Sequence, residues 1–399
     1  MIRASDLLLE TLRLRPVQSS AGLRQAWRDV RTDGLAQLVA FEGCSLWLHR
    51  RLKELDALQC VHAPFAAWLR QSARRIAAQN LAVDAQRDAV VGILNDLDCA
   101  HVLLKGAARR LVTDLYPYAD ARAVGDVDVL VPEHLAPAAW KGLESAGFST
   151  VPGAERRYAA HHHLAPLSNE RRVNVEVHTS TSTVVPPREA WRRMNGSGCT
   201  INCGNGATRV AGATELLWHA LAHALVESWS YAFRLRFLLD AAAVLASDQD
   251  VDWTAIASRV ESGELPDTIM ARRWLGAAAG IAAAPCPRRL TDDVPAFDLT
   301  SALRWRLDVF RLFGRGHHVA EPGLWTMAPL ARARRLLVDE GTRAMLGLPL
   351  TPPLPGSGPL RRTGRRAAAG AARLCFRSWR LIKPNLGFGN GLQVTWTRA

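Results

Sequence analysis

Two short segments of this 399-residue chain alternate between an aliphatic residue and an acid or other polar one: DVDVLV at 126–131 and VNVEVH at 173–178. Neighbouring side chains on a pleated strand point to opposite faces, so a period of two marks a strand with one buried side. Val173, Val175 and Val177 fall on one side of the second segment, with Asn174, Glu176 and His178 on the other. Asp126 and Asp128 likewise share a side of the first, which stops at Pro132. The chain must therefore contain a sheet with a covered aliphatic face and acids on the other.

The surroundings of these strands read differently. From Ser5 to about Asp98 apolar residues such as Leu35, Leu38, Val39, Leu46, Leu69, Ile76 and Leu81 recur at helical spacing, with Pro16 and Pro64 as breaks. AHVLLKG at 100–106 is then a strand ended by a turn at Lys105-Gly106, followed by helical AARRLVTDLY, and Leu135–Ser145 is a helix closed by Gly147. Helical periodicity resumes over 213–247 and 253–348, broken near Pro266, Pro285-Cys286-Pro287 and Gly314-Arg315-Gly316. PPLPGSGP after Thr351 reads as a linker to a tail that holds Arg361, Arg362, Arg365, Arg366, Arg373, Arg377, Arg380, Lys383 and Arg398 without one acid. The expected class is α+β: a helical region over 1–98, a small mixed-sheet core over 99–212, a helical domain over 213–350, and a linker with a basic tail over 351–399.

Charge and cysteine usage narrow the partners. Lys and Arg number 50 against 37 acids, a formal +13, which favours an anionic partner: a nucleotide, a phosphorylated acceptor, nucleic acid or a membrane surface. The N-terminal segment carries acids and lacks a signal-peptide core, and the Ala-rich stretch Leu275–Cys286 is far shorter than the roughly 20 residues of a membrane helix. Seven scattered cysteines suit a reducing compartment, and the protein is expected in the cytoplasm. Only Cys199 and Cys203 lie close together, and no second pair sits at zinc spacing beside them.

The chemistry resides on the acidic strand face. Asp126 and Asp128, two apart, present two carboxylates that repel one another unless a cation lies between them. Mg²⁺ prefers oxygen ligands, and Glu176 on the other alternating strand is the natural third carboxylate. Such a trio suits two ions about 3.5–4 Å apart, with Mn²⁺ as a substitute. The plain alternative is that Asp-x-Asp at a strand start is a solvated edge.

The order of parts decides between them: an apolar strand, Lys105-Gly106, a helix, Arg122, GDVDVLV at 125–131, HHLAPL at 162–167, VEVH around Glu176, then LLWHALAH with a downstream Asp240. Over roughly Ala100–Ala246 this set resembles the DNA polymerase β nucleotidyltransferase superfamily, in particular a bacterial family of uncharacterised nucleotidyltransferases. The resemblance implies a small mixed sheet packed with helices, with Asp126, Asp128 and Glu176 as the metal carboxylates. Lys105-Gly106 stands where many members have a Gly-Ser pair, and the gap to the acids is longer here. Lys105 would then meet the triphosphate of an NTP such as ATP as a point charge, with Gly106 allowing close approach; its alternative is an exposed turn lysine.

Other candidates keep two readings. Arg122 either contacts phosphate or braces the acidic strand. His163 and His178 are catalytic or are satisfied buried histidines. His219 and His223, at i and i+4, form a core or substrate-facing pair, since no Glu follows the first as in a metalloprotease helix. Asp240 is expected to partner one of them or Arg236. The leading function is transfer of a nucleoside monophosphate from an NTP to a hydroxyl or phosphate of a small molecule or peptide, with docking of an anionic partner left to the basic tail. A toxin-like transferase acting on tRNA and a catalytically inactive nucleotide- or anion-binding protein are the alternatives.

Overall fold

The computed structural model describes residues 2–15, 18–114, 116, 118–159, 161–227, 232–247, 249–313, 329–345 and 368–376. The chain divides into two units, Met1–Leu299 and Thr300–Ala399.

In the first unit five strands build one mixed sheet: β1 (Val102–Leu103), β2 (Asp126–Leu130), β3 (Asn174–His178), β4 (Cys199–Cys203) and β5 (Gly206–Val210), in spatial order β3-β2-β1-β5-β4. β2 lies parallel to β3 and antiparallel to β1, β1 parallel to β5, and β5 antiparallel to β4. The two alternating segments are thus neighbours, and Asp128 pairs in register with Glu176. Val127, Val129, Val175 and Val177 are fully buried, as the period of two requires.

The β4–β5 hairpin is the part of the sheet that the sequence pattern does not announce. Its two strands join through Gly204-Asn205, with Gly204 at φ +45°, where a side chain would also strike Asp88 of the long helix below. A Gly-Asn pair is a hairpin signal. β4 buries only Cys203, so CTINC lacks the apolar stripe that would have shown it.

The helices α1 (Ala4–Leu12), α2 (Ser20–Asp29), α3 (Leu35–Glu42), α4 (Ser45–Glu54) and α5 (Ala63–Asp96) precede the sheet. Pro64 opens α5 rather than breaking it, because the first turn of a helix needs no N–H from that residue. At 34 residues α5 is about 50 Å long. Near its start Phe65 stacks on Trp27, whose indole N–H donates to Thr11 at 3.0 Å. α5 packs on β2 and β5. The helix after β1, α6 (Lys105–Arg109), stops well short of the expected Tyr116, and Lys105 begins it instead of preceding it in a turn.

α7 (Ala136–Ser145), α8 (Ala154–Tyr158) and α9 (Pro187–Gly196) follow β2 and β3. On the acidic side of the sheet Leu130 continues the line of Asp126 and Asp128, and there Val102, Leu104, Leu130, Met194 and Ala211 form one apolar cluster with Trp191 against it. That cluster closes one end of the face and leaves the carboxylate end polar. After the sheet come α10 (Ala213–Ala222), which runs into a π-helical turn at His223–Glu227, then α11 (Leu235–Leu245), α12 (Trp253–Glu261), α13 (Thr268–Ala282) and α14 (Arg288–Thr291). Asp252 and Asp267 accept backbone N–H groups at the starts of α12 and α13.

The second unit holds α15 (Leu299–Phe313), which begins at the unit boundary, α16 (Pro329–Met345) and a helix at 368–376. The Trp305 indole donates to the Leu337 carbonyl at 3.1 Å and meets the Phe376 ring at 5.2 Å. Arg373 pairs with the buried Glu340 at 3.2 Å. Two residues assigned to the docking tail therefore pack within this unit, while Leu374 is exposed. The linker after Thr351, the Gly314–Gly316 break, Pro16 and the other tail cations lie outside the described residues. Among the described residues no helix is long and apolar enough to cross a membrane.

Leu130→Ala is expected to cost about 2–5 kcal/mol of stability by leaving a cavity in the closing cluster. Truncating Leu81, which is 69% exposed, should change it by less than about 0.5 kcal/mol. Urea unfolding of both variants makes the comparison.

Candidate active site

The backbone that leads into β2 is held from α5. Asn80, buried on that helix, donates to the Arg122 carbonyl at 2.8 Å and accepts from the Val124 amide at 3.0 Å. One amide side chain thus satisfies both sides of the loop before Asp126, and nothing local in the sequence signals this. Leu104 at the end of β1 donates its N–H to the Asp128 carbonyl at 2.9 Å, which sets Lys105 beside the acids.

Asp128 is fully buried, so its carboxylate is not a solvated edge. Lys105 Nζ–H donates to its Oδ1 at 2.6 Å, and His178 Nε2–H donates to the same oxygen at 2.9 Å. Glu176 Oε2 lies 3.7 Å from Lys105 Nζ and 3.4 Å from His178 Nε2. Burial works against the Asp128 charge, but Lys105 and the His178 hydrogen bond outweigh it and hold the carboxyl well below its usual range. The Asp128 charge, aided by burial, pushes its half-buried neighbour Asp126 up to about 7. Burial also opposes charged Lys105 and His178, yet the facing carboxylates raise both above their ordinary values. Lys105 adopts φ +45°, a region that side chains other than glycine rarely occupy, and so accepts backbone strain to face the acids.

HHLAPL lies along the outer edge of β3. Leu164 donates to Val177, Leu167 exchanges both hydrogen bonds with Val175, and Thr179 donates to His162. Pro166 falls between the donors Leu164 and Leu167, where an edge needs no N–H. This ribbon brings His163 Nε2 to 3.7 Å from Glu176, while burial presses His163 down to about 4. The rings of Tyr158, His161, His162 and His163 cluster beside it, the three histidines being consecutive in the sequence.

Arg122 and Asp240 find partners other than those expected. The Arg122 guanidinium meets Asp240 of α11, not the acidic strand: its Nε–H lies 2.9 and 3.0 Å from the two carboxylate oxygens. Arg109 reaches Asp240 at 3.3 Å, and the Tyr116 hydroxyl donates to it at 2.7 Å. Asp240 therefore partners these three rather than His219, His223 or Arg236. Burial opposes its ionisation, but the two guanidinium groups hold it below its ordinary value. Gly106 is needed here because a Cβ would collide with the Arg122 guanidinium and approach Val124 Cγ1 to 2.7 Å. His219 is buried beside His223, their rings 6.4 Å apart.

A family model described as uncharacterised nucleotidyltransferase matches residues 28–275, more than half of the chain. The chain belongs to the uncharacterised nucleotidyltransferase family. It is an enzyme of the nucleotidyltransferase class. No curated protein and no solved structure was found to match it. The family span exceeds the Ala100–Ala246 stretch on which the resemblance rested. It takes in Asn80 and Asp240, the helical residues that hold the loop before β2.

The side chains fit a divalent cation. One oxygen each from Asp128 and Glu176 and the His178 ring lie within 4.8 Å of one another. Asp128 Oδ2 is buried and accepts no hydrogen bond among the described residues, a costly state for a carboxylate that a cation would relieve. Carboxylate oxygen donors suit Mg²⁺ or Mn²⁺, while the His178 imidazole is engaged with Asp128.

Because the folded pKa of Asp126 exceeds its unfolded value near 3.8, its contribution to the metal-free fold is lost as pH rises from about 4 through 7. ¹³C NMR on carboxyl-labelled aspartate should give a midpoint near 7 that drops in Asp128→Asn. A midpoint unmoved by that substitution would contradict the electrostatic cause.

Proposed function

We propose that this enzyme moves a nucleoside monophosphate from an NTP to a hydroxyl or phosphate of a small-molecule or peptide acceptor, with pyrophosphate as the leaving group. The observation that carries the reading is the buried Asp128 carboxylate with one unsatisfied oxygen, in register with Glu176 and two residues from Asp126. Asp126, Asp128 and Glu176 would hold Mg²⁺, two ions or Mn²⁺ in its place, as in the DNA polymerase β superfamily. The bound metal neutralises phosphate charge and lowers the pKa of an attacking hydroxyl.

The chain's own residues position and orient. His178 and Lys105 fix the Asp128 carboxylate, so its remaining oxygen keeps one direction. Lys105 lies within reach of both Asp128 and Glu176, and its ammonium would be available to pair with a phosphate oxygen were the acids engaged by a cation. Arg122 is locked by Asp240 and contributes a fixed positive field rather than a mobile finger. The small-molecule or peptide acceptor is favoured over tRNA because the sequence carries no recognisable RNA-binding module; of the described tail residues, Arg373 and Phe376 are engaged within the second unit and Leu374 is exposed.

Asp126→Asn and Glu176→Gln should each leave a folded protein and lower pyrophosphate release by about 10²–10³-fold or more, as removal of a transition-state charge partner does. The assay uses each of the four NTPs with Mg²⁺, and RNA labelling checks the tRNA alternative. Near wild-type turnover in either variant would remove the residue from the site.

Lys105→Ala is expected to weaken NTP use and also to lower Tm, since it leaves the buried Asp128 carboxylate with one fewer donor. Nucleotide affinity and thermal unfolding measured on the same sample separate the two effects. Unchanged affinity and turnover would make Lys105 a structural counter-ion only.

A further inference from the structure

Behind the carboxylates, and sharing Lys105 with them, lies a small cavity lined by Lys105, Arg109, Arg122, His219, His223 and Asp240. It has room for about one water molecule. Its walls hold an unusual set of buried polar atoms without a hydrogen-bond partner among the described residues: both ring nitrogens of His219, Nδ1 of His223 and Nε of Arg109. His219 is only 2% exposed and Arg109 3%, so bulk water does not satisfy them. Buried polar atoms in native proteins almost always have a partner, and four in one place call for an occupant. Two guanidinium groups, Arg109 and Arg122, face a single carboxylate, Asp240, which also accepts from Tyr116, while Lys105 is paired with Asp128. The occupant should therefore be an acceptor of hydrogen bonds with negative charge.

We infer that this cavity is a subsite for one terminal oxygen of a phosphoryl group, to which N–H groups of His219, His223 and Arg109 donate. A phosphoryl oxygen is about the size of the water the cavity admits, and the rest of the phosphate would lie toward Lys105. Burial, with Arg109 and Lys105 nearby, keeps both histidines neutral at physiological pH, so each still carries one N–H to donate. That the phosphoryl group belongs to the triphosphate tail or the pyrophosphate product rests on the nucleotidyl-transfer reading; the oxyanion subsite does not.

The test is calorimetric titration of the full-length protein, in Mg²⁺, with pyrophosphate and separately with glycerol phosphate, for wild type, His219→Phe and His223→Phe, each of which fills the ring's space without an N–H donor. Thermal unfolding certifies each variant. Loss of a hydrogen bond to a charged group should raise Kd for the bound phosphate by about tenfold. Dependence of pyrophosphate binding on the histidines places the donor's tail in the cavity, and dependence of glycerol phosphate binding alone places a phosphorylated acceptor there. Equal affinities in folded variants, or no binding of either phosphate by wild type, would overturn the subsite and leave ordered water as its occupant. Protection of His223 from diethyl pyrocarbonate by the phosphate in wild type needs no variant; its absence also counts against the proposal. Mn²⁺ binding followed by electron paramagnetic resonance reports on the carboxylates separately, so failure of the subsite is distinguishable from failure of the metal site.

Discussion

A carboxylate with no exposure to solvent organises this molecule. Isolated, the Asp128 charge would cost several kcal/mol to bury. The fold meets that cost with an amine from the start of α6 and an imidazole from β3, both directed at one oxygen. The arrangement requires β1 to deliver Lys105, β3 to lie parallel and in register, and Lys105 to accept a left-handed backbone. The second oxygen has no partner among the described residues, which is poor design for stability alone and sensible for a site that takes a cation.

A second buried carboxylate performs a mechanical task. Asp240 on α11 gathers Arg109 from α6, Arg122 from the loop before β2, and Tyr116 between them. Asn80 on α5 holds the same loop from the opposite direction. The acidic strand is thus clamped by helices that precede and follow the sheet in sequence. A family match that spans residues 28–275 is coherent with this, because a sheet without α5 and α11 would lose both clamps.

Parts of this were legible in the chain because they depend on neighbours in sequence. The period-two valines announced β2 and β3, the acids two apart announced a shared face, and the apolar spacing announced the helices. HHLAPL and VEVH were legible only as parts of the family pattern; that the first runs along the edge of the second is a matter of tertiary pairing. The β4–β5 hairpin escaped because β4 is mostly exposed, so burial wrote no pattern into CTINC. The helix after Lys105 is shorter than AARRLVTDLY suggests: it ends at Arg109 although the apolar spacing continues.

The sequence by itself determined which residues carry charge and which face of each strand they share, since side-chain alternation follows from backbone geometry alone. Only the tertiary structure decided who neutralises whom. Lys105 and Asp128 are 23 residues apart, Arg122 and Asp240 are 118, and such pairs form because burial makes a lone charge untenable. Which partner answers that demand depends on how strands and helices pack, and no local pattern encodes it.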